Sequence, residues 1–248
     1  VCYHFGMKEH MSEAERDVLK RVSVRLIEDW ERPLFDGRLE KEHYLCNPRT
    51  VGNTLRYVAE LDGAWVALAT FSCPALHLKW RERWIGWSPR QRARRLRFVV
   101  NNSRFLVLPD RGSMPNLASR ALGLVLKRLC ADWEARFGHP VFAVESFVDE
   151  SLYRGTCYRA CGFEAAGATE GYARSGRDFY GEHGVPKQLY LRELRKGARA
   201  LLRQARWPAA LAELEARVAG PCPMRGPQIG SLLERFRAEL KDGRSGHG

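Results

Sequence analysis

The chain has 248 residues, with 41 Lys or Arg against 29 Asp or Glu, a net charge of +12 at pH 7 and an isoelectric point near 9.7. With 45% hydrophobic residues it can bury the core of one large domain, which excludes a wholly disordered chain. The basic excess favours polyanionic partners, and no apolar run is long enough for a bilayer-spanning helix.

The N-terminus has no basic segment followed by an apolar stretch, so the expected compartment is the cytoplasm, with no membrane partner. The seven cysteines are Cys2, Cys46, Cys73, Cys130, Cys157, Cys161 and Cys222. Cys157 and Cys161 are four apart, but no CxxC pair or nearby His pair completes a zinc tetrahedron. The expectation is mostly buried, reduced thiols and no metal site.

Residues 1–11 read as an irregular leader or cloning remnant. Ser12 and Glu15 form a capping box, and Val18, Leu19, Val22, Leu26, Ile27 and Trp30 recur at helical spacing. This predicts a helix to about residue 31, ended by Pro33, followed by a polar loop over 36–50. Asp62-Gly63 between two β-prone runs predicts an antiparallel hairpin of 56–61 and 64–71. Ser88-Pro89 opens a helix carrying residues 90–97. Residues 104–108 read as a buried strand stopped by Pro109, and 110–116 as a turn-rich loop.

Leu117, Ala121, Leu122, Val125, Leu126, Leu129 and Trp133 then form the apolar stripe of a long helix, closed by Gly138 and Pro140. A strand at 141–148, a turn or short helix at 153–161, and strands at 163–168 and 188–194 complete the pattern. The order predicts an α/β fold with a mixed central sheet and flanking helices. It would span residues 12–194, followed by a C-terminal helical extension at 195–240, with a last helix over 228–240, and a flexible tail at 241–248.

The stretch from Trp80 to Pro109 is the richest in chemistry. Arg81, Arg83, Arg90, Arg92, Arg94, Arg95 and Arg97 lie among Trp80, Trp84 and Trp87. Guanidinium groups match phosphate and stack on rings, and tryptophan offers a face for a base or for its own core. Arg90, Arg94 and Arg97 share one helical side, with Leu96 and Val99–Val100 as the apolar face. They read either as a phosphate-tracking surface or as a solvated charge face. Asn101 and Arg104, in the Asn101-Asn102-Ser103-Arg104 run, offer base-edge or phosphate donors; the alternative is an Asn-rich turn bonding its own backbone.

Several words in order resemble the Druantia anti-phage protein A (DruA) family. They are RWIGWS at 83–88, NNSRFLVLP at 101–109, NLAS at 116–119, DWEARFG at 132–138, ESFVD at 145–149, YRGTCYRA at 153–160 and VPKQLYL at 185–191. After the YRA word the family usually has Asn-Trp, where this chain has Gly162-Phe163. Family members also occur fused to or beside DDE transposases, and the segment 226–248 looks like the opening of such a transposase half. The resemblance implies a defence- or transposon-linked protein; the basic, tryptophan-containing stretch points to DNA or RNA as partner, and the Ala/Leu/Arg-rich C-terminal helices to docking on a transposase or helicase.

The layout also resembles the GNAT N-acyltransferase fold, which implies acetyl-CoA or another acyl-CoA as cofactor. In that superfamily an Arg/Gln-x-x-Gly-x-Gly/Ala loop before the long helix holds the pyrophosphate. Here the loop is Arg111-Gly112-Ser113-Met114-Pro115-Asn116, in which Met114 and Asn116 replace glycines and Pro115 lacks an N–H donor.

The remaining candidates each carry two readings. Asn116 and Ser119 would cap the long helix or hold an anion at its N-terminus. Glu145, a carboxylate inside an apolar strand, would be a general base or one half of an ion pair, with Arg159 as the candidate partner. Tyr158 would be an acid or a core tyrosine. Thr156, Arg159 and Lys187 would reach the same cleft or face solvent. The reading that unites them is a DruA-like nucleic-acid-binding protein. The alternative is a GNAT-type acyltransferase with Glu145 as base and Tyr158 as acid, and a third is an interaction module using the C-terminal helices.

Overall fold

This computed structural model describes residues 12–110, 112–169, 172–175, 179–182 and 185–218. The expected leader, the helix expected over 228–240 and the tail lie outside them. Helix α1 (Glu13–Arg21) opens on the expected capping box of Ser12 and Glu15. It ends ten residues earlier than the sequence predicts. Ser23–Leu26 forms strand β1, which pairs antiparallel with the next strand. Val24 and Leu26 both turn onto the main core at a spacing of two, the strand period, so the helical spacing of Leu26 with Val22 and Trp30 is coincidental. Pro33 does not stop a helix; it sits in the first turn of α2 (Arg32–Glu42), where its missing N–H has no intrahelical partner to lose. Phe35 and Leu39 are fully buried one turn apart, Leu39 within the stretch expected to be a polar loop.

The hairpin is present as β2 (Thr54–Leu61) and β3 (Ala64–Ser72), with Asp62 and Gly63 both at positive φ as its two-residue turn requires. Helix α3 (Lys79–Ile85) was not anticipated; α4 (Pro89–Arg95) opens on Ser88 and Pro89 as expected, with Gln91 completing a capping box. That helix does not run to residue 97. A 3-10 turn at Leu96–Phe98 leads into β4 (Val99–Val107), so Val99 and Val100 belong to a strand rather than to a helix face. The long helix is α5 (Leu117–Phe137), ended by Gly138 in the left-handed region. Then come β5 (Ala143–Val148), α6 (Thr156–Ala160), β6 (Glu164–Ala168), a two-stranded ribbon of β7 (Tyr172–Ser175) and β8 (Phe179–Glu182), and β9 (Gln188–Glu193). Helices α7 (Ala198–Arg203) and α8 (Ala209–Val218) follow.

Seven strands form one mixed sheet in the order β1-β2-β3-β4-β5-β9-β6. All pairs are antiparallel except β4 with β5. Helix α5 crosses one face and buries Leu122, Val125, Leu129 and Trp133 against Tyr57, Phe71, Val100 and Val144. Each such side chain contributes roughly 1.5–3 kcal/mol through removal from water. On the opposite face α2 packs Phe35 and Leu39 on Val58 and Leu68. Beside it, Ile85, Trp87, Phe98 and Phe142 meet Ala198, Leu202 and Trp207. The C-terminal helices therefore lay their apolar side chains on this chain's own core.

A buried charge cluster fastens them. The Glu215 carboxylate of α8, 3% exposed, takes Arg95 Nε at 2.6 Å and Arg94 Nη2 at 2.8 Å. Arg95 also donates to the carbonyls of Leu202 and Gln204 and lies 4.4 Å from the Trp207 ring centre. Glu215→Ala leaves the buried Arg95 guanidinium without its carboxylate and should cost about 3–5 kcal/mol of stability. Urea denaturation measures this, and a loss below about 1 kcal/mol would mean that α8 does not dock in this way.

Candidate functional site

Strands β4 and β5 pair in parallel only from Val99↔Ala143 to Asn102↔Ser146, although β4 continues to Val107 and β5 to Val148. Past that point β4 stays with β3, and β5 stays with β9. The sheet opens between them. A bulge between Thr70 and Phe71 in the β3–β4 ladder lies at this point, and bulges bend strands in this way. The Asn102 side-chain amide donates to the carbonyls of Thr70 and Arg104, and Ser146 Oγ donates to the Asn102 carbonyl.

Four segments meet at the opening. Arg104 stands two residues past the last β4–β5 pair, and Val148, two past it on β5, pairs with Gln188 of β9. Lys187 precedes Gln188, and Asp149 follows Val148. From the end of α2 come His43 and Tyr44. Tyr44 is packed between His43, 4.7 Å between ring centres, and the edge-on ring of Tyr153, at 5.7 Å; Lys187 Nζ lies 5.3 Å from the Tyr44 centre. Arg104 ties the loop after α2 by donating to the carbonyls of Asn47 and Arg49. Asp149 Oδ1 accepts from the Ser151 amide and hydroxyl.

The electrostatics follow from burial. Burial pulls the Lys187 ammonium down, Asp149 opposes this and Arg104 reinforces it. His43 is pulled down to about 4 by burial and by the nearby charges of Arg104 and Lys187, so it is neutral at pH 7. Its Nδ1 accepts the Leu45 amide at 3.1 Å, which assigns the ring proton to Nε2. Sequence reasoning singled out Arg104 and Lys187 but missed His43, Tyr44 and Asp149. Asp149 closes the ESFVD word, and two adjacent rings in a stretch taken for a polar loop were the available signal for the others.

The proposed base and acid are not brought together. Glu145 is fully buried on the α3 face, where Oε2 takes Arg81 Nη1 at 2.8 Å and Oε1 takes the Ala75 amide at 3.1 Å. Its partner is thus Arg81, not Arg159. Burial pushes the carboxyl upward against the pull of Arg81. Tyr158 lies on the other face, because successive residues of a strand point to opposite sides: it packs in the α5 core that holds Val144, and its hydroxyl donates to Asn102 Oδ1 at 2.8 Å. Burial raises the pKa of that hydroxyl far above its usual range. Arg159 is exposed and donates to the Tyr190 hydroxyl; Thr156 is exposed at the start of α6. Asn101 stands opposite Glu145 in register, and its buried Oδ1 accepts no hydrogen bond among the described residues.

The arginine-rich stretch is mostly neutralised. Arg81 pairs with Glu145, Arg92 with Glu82, and Arg94 and Arg95 with Glu215. Arg97 is half-buried in the 3-10 turn, while Arg90 is exposed with no ion pair among the described residues. The tryptophans pack rather than present faces: Trp80 Nε1 donates to the Ala168 carbonyl, Trp84 Nε1 donates to Glu164, and Trp87 is buried. A Cβ on Gly167 would stand 2.4 Å from the Trp80 ring, which explains a glycine there.

At the start of α5, Asn116 occupies the N-cap position in the left-handed region, but its side chain makes no capping bond. Ser119 Oγ donates to the Asn116 carbonyl instead. A groove of about 670 Å³ between α5 and the end of α6 is lined by Ser119, Lys127, Cys161, Arg192 and Arg195, among others. Among the described cysteines, Cys46, Cys130, Cys157 and Cys161 are free thiols, in keeping with the expectation of mostly reduced cysteines, and Cys73 is disulfide-bonded; against the expectation of burial, Cys46 is exposed and the other three free thiols are half-buried. Among the described residues no cluster of His, Cys, Asp and Glu is placed to hold a metal ion, and no helix is long and apolar enough to cross a membrane.

The His43 environment has a pH consequence. Between its ordinary value near 6.5 and about 4 the unfolded chain takes up the proton first. The fold therefore loses up to about 3 kcal/mol as pH falls through that window. His43→Asn keeps an acceptor for the Leu45 amide and cannot protonate. Urea denaturation at pH 7 and pH 4.5 should show a smaller acid loss in the variant than in the unaltered protein; equal losses would place His43 in contact with water.

Among solved structures, the fold is similar to several acetyltransferases. Spermidine/spermine N-acetyltransferase SpeG from Vibrio cholerae shares 10% identity at a TM-score of 0.41, over 71% of this chain and 95% of that one. Aminoglycoside acetyltransferase AAC(6')-Ib in complex with coenzyme A shares 15% at 0.46, over 74% and 99%. The ribosomal-protein-S18-alanine N-acetyltransferase from Escherichia coli shares 14% at 0.42, over 70% and 94%. At these values no substrate or cofactor carries over. No curated protein matches the sequence. The sequence pattern of the family described as Druantia protein DruA matches residues 5–182, which include Tyr44, Arg104, Asp149 and Tyr153 at the opening but end before Lys187 and β9. The chain belongs to the DruA family.

Proposed function

We propose that this chain is a DNA- or RNA-binding member of a defence-associated family, engaging nucleic acid at the open ends of β4 and β5. The observation that carries the reading is the placement of Arg104 and Lys187, neither ion-paired to a carboxylate among the described residues, beside the rings of Tyr44 and Tyr153. Cations next to aromatic faces suit a ligand that is both phosphate and base. The net charge of +12 adds long-range attraction to any polyanion. Of the phosphate contacts the sequence assigned to Arg90, Arg94, Arg97 and Arg104, this reading keeps Arg104 and adds Lys187, while Glu215 holds Arg94. Fusion to or assembly with a transposase or helicase remains part of this proposal as a partner class.

Acyl transfer fits the residues less well. In the loop before α5, the Ser113 amide donates to the Asp110 carbonyl, the Leu117 amide to the Met114 carbonyl, and Pro115 has no amide hydrogen. A pyrophosphate would need such donors free. The sheet also separates Glu145 from Tyr158. No acyl-transfer step is therefore assigned to this chain, and acyl-CoA is not proposed as its cofactor.

Titrating a labelled duplex and a labelled single strand at two salt concentrations tests the nucleic-acid reading. Binding should weaken steeply with salt, by about 0.7–0.9 log units of affinity per log unit of salt for each phosphate contacted. Lys187→Ala should lower that slope by about one contact for the probe that binds more tightly. No binding of either probe at low salt would overturn the reading.

A further inference from the structure

The opening has features that a smooth basic surface would lack. Lys187 is half-buried, yet its ammonium makes no hydrogen bond or ion pair among the described residues; its described contact is the Tyr44 ring. A partly desolvated cation in such a place is stabilised by an incoming anion. Asp149 stands nearby, but its Oδ1 is taken by the Ser151 amide and hydroxyl, and the residue is buried. With His43 neutral, the local balance is Arg104 and Lys187 against Asp149, one net positive charge. Tyr44 is half-buried under His43 and Tyr153, whereas Tyr153 is 46% exposed, so its ring is the one with an accessible surface.

The geometry of the sheet limits what can enter. Paired strands lie about 4.8 Å apart, and the gap begins where a single pair of strands parts company at Asn102 and Ser146. A base inside a duplex is stacked on both faces and shows neither to a tyrosine, whereas an unpaired base can lie on one. We propose that this opening receives one unpaired nucleotide, its phosphate on Lys187 and Arg104 and its base on the exposed ring of Tyr153. The inference rests on the nucleic-acid reading and deepens it: the ligand is a single strand, an end, or a base turned out of a duplex.

The test uses the full chain, with fluorescence anisotropy of a labelled single strand and a blunt duplex of the same sequence at low salt. The single strand should bind about tenfold more tightly, in keeping with one added stacking contact. Lys187→Ala and Tyr153→Leu should each remove most of that preference while changing duplex affinity by less than about twofold, and Tyr153→Phe, which keeps the ring, should retain it. Unchanged thermal midpoints exclude misfolding as the cause; where Tyr153→Leu shifts the midpoint, the Lys187→Ala result decides. Equal affinity for both probes, or variants that weaken both equally, would overturn the unpaired-nucleotide inference and leave nucleic-acid binding standing. Binding of neither probe would overturn both.

Discussion

The arrangement depends on one break in backbone pairing. Two parallel strands at the centre of a sheet ordinarily satisfy each other along their whole length, because unpaired buried amides and carbonyls are costly. Here β4 and β5 part after Asn102 and Ser146. Side chains bond backbone groups at this point: Ser146 holds the Asn102 carbonyl, and the Asn102 amide holds the carbonyls of Arg104 and, at the β3–β4 bulge, of Thr70. Tyr158 fixes the Asn102 side chain from below through its hydroxyl. This buried polar network sets the direction in which β4 leaves β5, and with it the position of Arg104. Arg104 and Asp149 reach the mouth of the opening on strands that no longer touch, while Lys187 arrives with β9 and Tyr44 from the end of α2.

Charge in this protein is divided between fastening and display. Glu145 draws Arg81 into the core and anchors the segment after β3 on the sheet. Glu215 draws Arg94 and Arg95 onto the C-terminal helices. Arg25 is held by Glu31 and Glu60, joining the β1–β2 edge to the start of α2. Each guanidinium so held is lost to a polyanionic partner. A high arginine count therefore overstates the basic surface, and the cations that matter for recognition are those lacking a carboxylate partner rather than those crowded together in sequence.

Much of the architecture was legible from local rules. The Asp62-Gly63 turn, the Ser88-Pro89 cap, the α5 stripe from Leu117 to Trp133 and its Gly138 stop are local signals, and each has its expected counterpart. The misreadings arose where two periods overlapped. Val22, Leu26 and Trp30 satisfy a helical spacing, yet tertiary pairing with β2 made a strand of residues 23–26. The site was half legible. Arg104 and Lys187 stood out by residue type and by the words they belong to, but His43 and Tyr44 reach them only through folding across more than fifty residues of chain. The faces of Glu145 and Tyr158 were unreadable for a related reason: which side of the sheet α6 covers is decided by long-range packing, and that alone separates the two side chains.

The central claim is that recognition occurs at the mouth of β4 and β5 and not on the arginine helix. Ultraviolet cross-linking of the full chain to a single-stranded oligonucleotide, followed by mass-spectrometric mapping of the attached peptides, tests it most directly. Cross-links should fall on peptides containing Tyr44 and Tyr153, whose rings lie within 5.7 Å of each other beside Lys187. Cross-links confined to the segment carrying Trp80, Trp84 and Arg90, with none at either tyrosine, would contradict it.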